Sequence, residues 1–573
     1  MRCLPLVIAV SLLAASPAAA ADTRLTENRA TAAFLRHGKV ADWLDRYPAR
    51  GRTYDAELDR KDATWTVHVW WGEAGEIATG KVDDKTGKVT EAWTGPQVAW
   101  KMARGHDGAF GGKTINRPEV WLALCAVFLA GLVDWRRPLS VRTLDLLVLL
   151  SFSVSLWFFN QGDVFTSMPL VYPVFGYLLG RMLWIGLRGR SPSRRAAFWP
   201  VWILAAGTVF LAGFRIGLNL EGSNVIDVGY SGVIGAHRIV NGEAPYGHMP
   251  VQGNLKPCGD ADGEGEIRER IQTNGRCESS NERGDTYGPV SYVAYIPGYL
   301  LLGWTGKWDD LPAAHFTSIA LDLLVLLGLA LVGRRFGGLP LAATLAFAWA
   351  AYPFTQYVSN SNTNDALPAV LLVWGFWLVS SPWARGAFAA LAGWAKFGAL
   401  LVAPLWAGYP EAVRLRRPRG PLLFAAGFGA ATLAAFSILL LEPDPLHAVR
   451  VFWDRTLGWQ LGRESPFSIW DWGQYHAAGI PDLRLVQLPL IGLVLAGAVL
   501  AAFYPRRRSP LQLAALTGAL LIGFELVLTH WSFLYIPWFA PFVAFAVLAP
   551  SRSERVEPEP ALSPERRELV AVK

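Results

Sequence analysis

The feature that most narrows how this 573-residue chain can fold is a succession of apolar runs, about 16–22 residues each, punctuated by short basic clusters. A helix rises about 1.5 Å per residue, so such runs suit the roughly 30 Å of a bilayer's hydrocarbon. They lie at 119–134, 143–159, 166–187, 198–218, 314–333, 338–355, 364–380, 420–441, 484–504, 511–528 and 531–549. Two further segments, 288–304 and 386–407, read ambiguously; the second has Lys396 at its middle and reads as a broken hairpin or two half-helices. The expected fold is therefore mainly α, a polytopic bundle of about 11–13 membrane-spanning helices. Only 17% of residues are charged, where soluble domains run near 25%, which makes lipid the main solvent.

The net charge of +7 does not imply nucleic acid. Its basic clusters (Arg136-Arg137, Arg188 to Arg195, Arg334-Arg335, Arg414 to Arg419, Arg506 to Arg508) sit between apolar runs, as cytoplasmic loops do under the positive-inside rule. One parity puts nearly all of them in the cytoplasm with the tail 551–573, which reads as disordered. The polar loops 219–287 and 442–483, the stretch Thr355 to Asp365 and His530 then fall outside. That parity makes 288–304 a partial or juxtamembrane element.

The N-terminus, MRCLPLVIAVSLLAASPAAAAD, carries Arg2, a short apolar run and small residues at Ala18 to Ala20, a secretory signal over 1–21 or an uncleaved anchor. Residues 22–117 read as a small α+β extracytoplasmic domain. A helix is expected over Thr26 to Tyr47 with Thr26 as cap, then an alternating strand through Trp65, Val67 and Val69. A hairpin turn is expected at Asp84 to Gly87. Transmembrane helices fill 118–197 and a larger membrane core spans 198–550. Cys258 and Cys277 share an exported loop, where oxidation to a disulfide is the favoured reading over two free thiols. No second pair accompanies them as a zinc site needs.

Chemistry-bearing residues gather in the polar loops. Asp227 lies where an apolar run ends, placed either to take a proton from an attacking hydroxyl or to cap a helix. Asn360, Asn362, Asn364 and Asp365 mark the mouth of another run, either as caps or as hydroxyl-binding groups. His530 stands among Trp531, Tyr535 and Trp538, functional or part of an interfacial belt. Arg215, Arg455 and Arg463 offer forks suited to phosphate oxygens, with surface ion pairing as the plainer alternative. Trp459, Trp470 and Trp472 could stack on sugar faces or line the interface. The chain has no GxxxxGK[ST] and no GxGxxG between a strand and a helix, which disfavours an ATP-driven pump.

The order Asp227-x-x-Tyr230, then Gly242-x-x-Pro245-Tyr246, then Tyr287-x-Pro289 re-entering apolar sequence, resembles the first outer loop of GT-C glycosyltransferases. The closest likeness is to glycosyltransferase family 87 and related polyprenyl-phosphate-mannose-dependent mannosyltransferases, over roughly 198–549. The resemblance implies a transferase that moves a hexose, with mannose suggested, from a polyprenyl-phosphate donor to a lipid or glycan acceptor outside the cytoplasm. It makes Asp227 the catalytic base and His530 a second catalytic residue. Tyr230, Tyr246, Tyr287, Asn360, Asn362, Asn364, Asp365, Arg455 and Arg463 become the expected substrate-binding set. No metal ligand is assigned, although some GT-C enzymes use a divalent cation; Asp260, Asp262 and Glu264 read as solvated. The chain departs from the family in Gly288, where a proline is usual, and in the inserted stretch 254–285. Residues 22–117, with VDDKTGKV, resemble a PepSY domain, a regulatory or binding appendage. The competing functions are a carrier or flippase for a lipid-linked sugar, coupled through Asp145, Asp322, Lys396 and Glu525, and a membrane sensor or scaffold built on the PepSY-like domain.

Overall fold

In the computed structural model, residues 24–105, 110–261, 267–308, 310–413 and 418–550 are described, and 63% of these are helical. The signal reading, with Cys3, and the tail reading lie outside those residues, as do Asp262, Glu264 and Arg414 to Arg417. Among the described residues two compact units form, 24–104 with 474–480, and 105–473 with 481–550.

In the first unit, helices α1 (Glu27–Leu35) and α2 (Gly38–Leu44) precede a meander of four antiparallel strands in the order β1 (Arg52–Asp59), β2 (Thr64–Trp71), β3 (Gly75–Asp83), β4 (Val89–Thr94). The α+β reading stands, with corrections. The expected single helix breaks because His37 is extended and is followed by Gly38, a weak helix former. Thr26 occupies the cap position, but its side chain makes no capping hydrogen bond. Trp65, Val67 and Val69 are buried on one face of β2, as strand alternation requires. Val82 pairs with Val89 across the β3–β4 turn. There Asp83 Oδ1 accepts hydrogen bonds from the Thr86 amide and hydroxyl at 2.7 Å. The unit ends at Arg104, not 117: Phe110 packs with Phe159 and Tyr357 of the second unit at 6.1 and 6.4 Å. Residues 474–480 join the first unit, where the Tyr47 hydroxyl donates to the Tyr475 carbonyl at 2.8 Å.

The second unit is helical. Five of its helices are long and apolar enough to cross a membrane: Val141–Asn160, Val164–Arg188, Val201–Gly222, Pro312–Ala351 and Arg419–Leu441. Their outward faces expose Leu147, Trp157, Trp184, Trp202, Phe210 and Leu433. The remaining apolar helices are shorter, Pro118–Leu132 and Pro510–Leu526 among them. The 288–304 segment forms two short helices, Pro289–Val293 and Ile296–Leu302, a partial element as expected.

Two reversals give the bundle its internal shape. At Gly338 the chain takes φ 71°, ψ −167°, a conformation essentially reserved for glycine. A Cβ on Gly333 would sit 2.5 Å from the Ala342 backbone, so the 312–351 stretch doubles back on itself. This divides it into the two runs expected at 314–333 and 338–355. The second reversal is at Lys396, whose extended backbone (φ −138°, ψ 115°) ends the Pro382–Ala395 helix. The chain returns through Phe397–Val402 and Ala403–Ala407, and Arg385 near the start donates to the Trp406 and Tyr409 carbonyls near the finish. These are two half-helices folded against each other with Lys396 at the tip.

Basic loops gather at one end of this unit. Arg142 donates to the Arg195 and Ala196 carbonyls, Ser193 to Val547, Arg335 to Trp377, and Arg508 to Gly408. The Asp227, Asn360 to Asp365 and His530 segments gather at the other.

Candidate functional site

The site is built where the Val201–Gly222 helix ends and the amphipathic Asp227–Val240 helix begins. Asn219 Nδ2 donates to Asn362 Oδ1 at 2.8 Å, and Asn362 Nδ2 reaches Ser223 Oγ and the Asn224 carbonyl. This amide ladder fastens the start of the 223–287 segment to the turn carrying Asn364 and Asp365. Asn362 sits in the left-handed region at φ 52°, which asparagine tolerates. Gly229, Gly232 and Gly235 line one face of the next helix, pressed against the Asn362 carbonyl and the rings of Tyr295 and Tyr292.

Asp227 is the first residue of its helix; Ile226 is the cap, so the capping role is not realised. A carboxylate in a helix's first turn is favoured by the unpaired amides there. Two features of its surroundings diverge: its surface is open to solvent, yet atoms crowd it as they would an interior group. Desolvation there raises its pKa above the usual carboxylate value, and the charges of Arg463 and Lys396 oppose that rise.

Lys396, at the tip of the folded-back half-helices, pairs with Asp365 at 3.0 Å and lies 4.4 Å over the ring of Tyr287. Asp365 Oδ1 receives this cation as an ion pair without an aligned hydrogen bond. Neither Asn364 nor Asp365 caps the helix that follows, whose cap is Ala366. Tyr287 is held from behind by the Tyr246 hydroxyl, which donates to its carbonyl at 3.1 Å. A Cβ on Gly288 would stand 1.9 Å from the Trp394 carbonyl, so the proline usual in the resembled family has no room here.

His530 closes the other side. Its Nδ1 lies 2.8 Å from Ser465 Oγ, and the Ser465 amide donates to Asp471 at 2.8 Å. Burial first, then the positive charges of Arg463 and Lys396, hold the imidazole well below its usual pKa and therefore neutral. Those two cations act on Asp227 as well, so residues far apart in sequence share one electrostatic environment. Asp227, Tyr287, Asp365, Lys396, Arg463 and His530 form the cluster.

Several expected binding residues do other work. Tyr230 is buried, donates to the Ser279 carbonyl at 2.8 Å and stacks on Trp308 at 4.8 Å. Tyr246 is buried, with its hydroxyl on the Tyr287 carbonyl and its ring against Tyr292 and Phe452. Asn360 is bound to Gln356 and Leu218, and Asn362 to the ladder, which leaves neither amide for a sugar. Arg455 is neutralised by Asp285 at 2.6 Å, with the Glu282 carbonyl as a second acceptor. Arg215, 1% exposed, grips Asp322 through two nitrogens and reaches Ala350 and Thr355 besides. Trp470 and Trp472 are buried, with indole N–H groups on the Leu526 and Pro466 carbonyls. Of the acids suggested for coupled transport, Asp145 is engaged by Arg181 and Tyr177, and Asp322 by Arg215 and Trp349.

Cys258 and Cys277 are disulfide-bonded, with Cα atoms 6.0 Å apart. The bond pins the inserted stretch beside the short β5 (Glu269–Ile271) and β6 (Cys277–Ser279) pair. Within that loop Arg238 and the buried Glu278 pair at 2.8 Å. His237 meets the Tyr299 hydroxyl and Arg276, each at 2.7 Å; burial lowers its pKa to about 4, assisted by Arg276 and Arg238. Among the described residues no group of three or more His, Cys, Asp or Glu side chains could hold a metal ion.

Sequence reasoning gave Lys396 no place in the site and omitted Ser465 and Asp285. A lone lysine amid apolar residues was a usable signal, because a charge at that depth is costly unless paired. Ser465 and Asp285 carried none, since their partners come from distant segments. Comparison with known proteins finds no matching family model, no matching curated protein and no matching solved structure.

Proposed function

We propose that the protein is a multi-pass membrane glycosyltransferase of GT-C type that transfers a hexose from a polyprenyl-phosphate donor to a lipid or glycan acceptor. The end bearing Asp227 faces outside the cytoplasm, together with the N-terminal α+β unit as a PepSY-like appendage, and the basic end faces in. On this reading the shorter apolar helices and the half-helix pair complete a bundle of about 11–13 spans. The observation that carries the proposal is the meeting of Asp227 and His530 in the field of the same two cations.

In the reaction, an acceptor hydroxyl gives its proton to Asp227 as its oxygen bonds to the anomeric carbon. The bond from that carbon to the phosphate oxygen breaks, and its electron pair leaves with the phosphate. The desolvated carboxylate is a stronger base than an ordinary aspartate. Lys396 pairs with Asp365, and Arg463, whose charge reaches both Asp227 and His530, is the cation assigned to offset the departing phosphate. His530, being neutral, contributes a hydrogen bond and not charge.

Asp227→Asn retains the shape and removes the basicity. Turnover of a radiolabelled polyprenyl-phosphate hexose should fall about 10²–10⁴-fold in that variant. Turnover at the wild-type rate would dispose of the mechanism.

A further inference from the structure

We propose that Asn364 and Glu525, with Trp538, form a subsite that recognises the hydroxyls of the transferred sugar ring, separate from the place of its phosphate. This rests on the transferase reading. The observation behind it is a concentration of buried polar atoms that the protein itself leaves unanswered. Asn364 is 1% exposed, and neither its amide nitrogen nor its amide oxygen has a hydrogen-bond partner. Glu525, also 1% exposed, accepts the Trp531 indole N–H on Oε2 at 3.1 Å, while Oε1 has no partner. The Trp538 indole N–H is buried and unpartnered too. Native interiors answer nearly all such groups, so several together point to an occupant that is itself polar.

They are supplied by three elements. Asn364 precedes the Leu367–Trp377 helix, Glu525 ends Pro510–Leu526, and Trp538 opens Ile536–Leu548. Asp365 and Glu525 lie close enough for their charges to interact, and both act on Tyr535. The Tyr535 ring is 4.7 Å from that of Trp538, and the charges of Asp227 and Arg463 reach Tyr535 as well. The subsite therefore adjoins the reacting groups.

Its chemistry selects the occupant. An amide supplies both donors and acceptors, a carboxylate accepts, and an indole N–H donates. Adjacent hydroxyls, each able to give and take, match that set, and aromatic rings suit the apolar face of a pyranose. A phosphate matches less well, because an amide, a carboxyl and an indole bring no positive charge to meet it. The ring thus lies toward Asn364 and Glu525, and the phosphate toward Arg463.

The test uses full-length protein in nanodiscs, with polyprenyl-phosphate mannose and glucose as donors. Asn364→Ala and the near-isosteric Glu525→Gln are expected to raise the donor KM roughly tenfold or more and to change the mannose-to-glucose ratio of kcat/KM. The acid limb of the pH profile, which belongs to Asp227, should not move. The binding arm is quenching of tryptophan fluorescence by methyl mannoside and methyl glucoside, expected in the wild type and weakened in both variants. Unchanged KM and sugar preference would overturn the subsite while leaving Asp227 chemistry intact. Identical quenching in wild type and variants, or none in any of them, would overturn it whether or not transfer occurs.

Discussion

Arg215 with Asp322 and Lys396 with Asp365 are both buried cation–carboxylate pairs inside the same helical unit. Around the first, the protein fills the remaining positions: Asp322 also takes the Trp349 indole, and Arg215 also reaches Ala350 and Thr355. Around the second, one carboxylate oxygen meets only the lysine, a neighbouring amide has no partner, and the lysine lies over a tyrosine ring. Burying charge is costly, and a pair whose surroundings complete its hydrogen bonds serves as architecture. A pair left incomplete beside a solvent-reaching acid is ready for a guest. Charge type is the same in both; completion of the surroundings separates them.

Breaking each pair should separate them further. Asp322→Asn leaves an uncompensated buried guanidinium and should lower stability by about 3–5 kcal/mol, measured by thermal unfolding in detergent. Asp365→Asn should cost the fold less, because Tyr287 and Asp227 still face the ammonium, yet it should reduce turnover sharply. Equal stability losses in the two variants would erase the distinction. A smaller effect is expected from Arg463→Ala. The arginine charge lowers the Asp227 pKa, so its removal lets that pKa rise further. A base must be ionised to work, so activity should be lost at higher pH on the acid side than in the wild type; an unmoved limb would contradict the assignment. The smallest change belongs to Tyr230→Phe, which removes a hydroxyl bonded to main-chain carbonyls. It should cost about 1 kcal/mol of stability and leave kcat/KM untouched.

The same contrast explains what could be read from the chain alone. Helix-forming runs were legible because apolar residues persist over about the length of a helix, and the β3–β4 turn was legible because Asp83, Thr86 and Gly87 act locally. Asp227 and His530 stood out as polar residues at the edges of apolar runs. Partnership was not legible. Asn360, Asn362 and Asn364 look equivalent in sequence, and only the three-dimensional ladder shows that two are consumed while the third is spare. Arg215 and Arg455 pose the same problem: their carboxylate partners lie about 107 and 170 positions away. The break within 27–44 went unseen because its apolar spacing continues across His37 and Gly38.

The half-helix pair ending in Lys396 has a mechanical consequence. Its foot is gripped at the basic end, where Arg385 holds the Val379, Trp406 and Tyr409 carbonyls and Arg508 holds Gly408 and Ala501. Its tip carries the ammonium group and presses on the chain at Gly288. The pair is thus a cantilever clamped on one face of the protein and loaded on the other. A disturbance at the clamp, whether a substitution or a docked protein, would tilt Lys396 without touching anything near it.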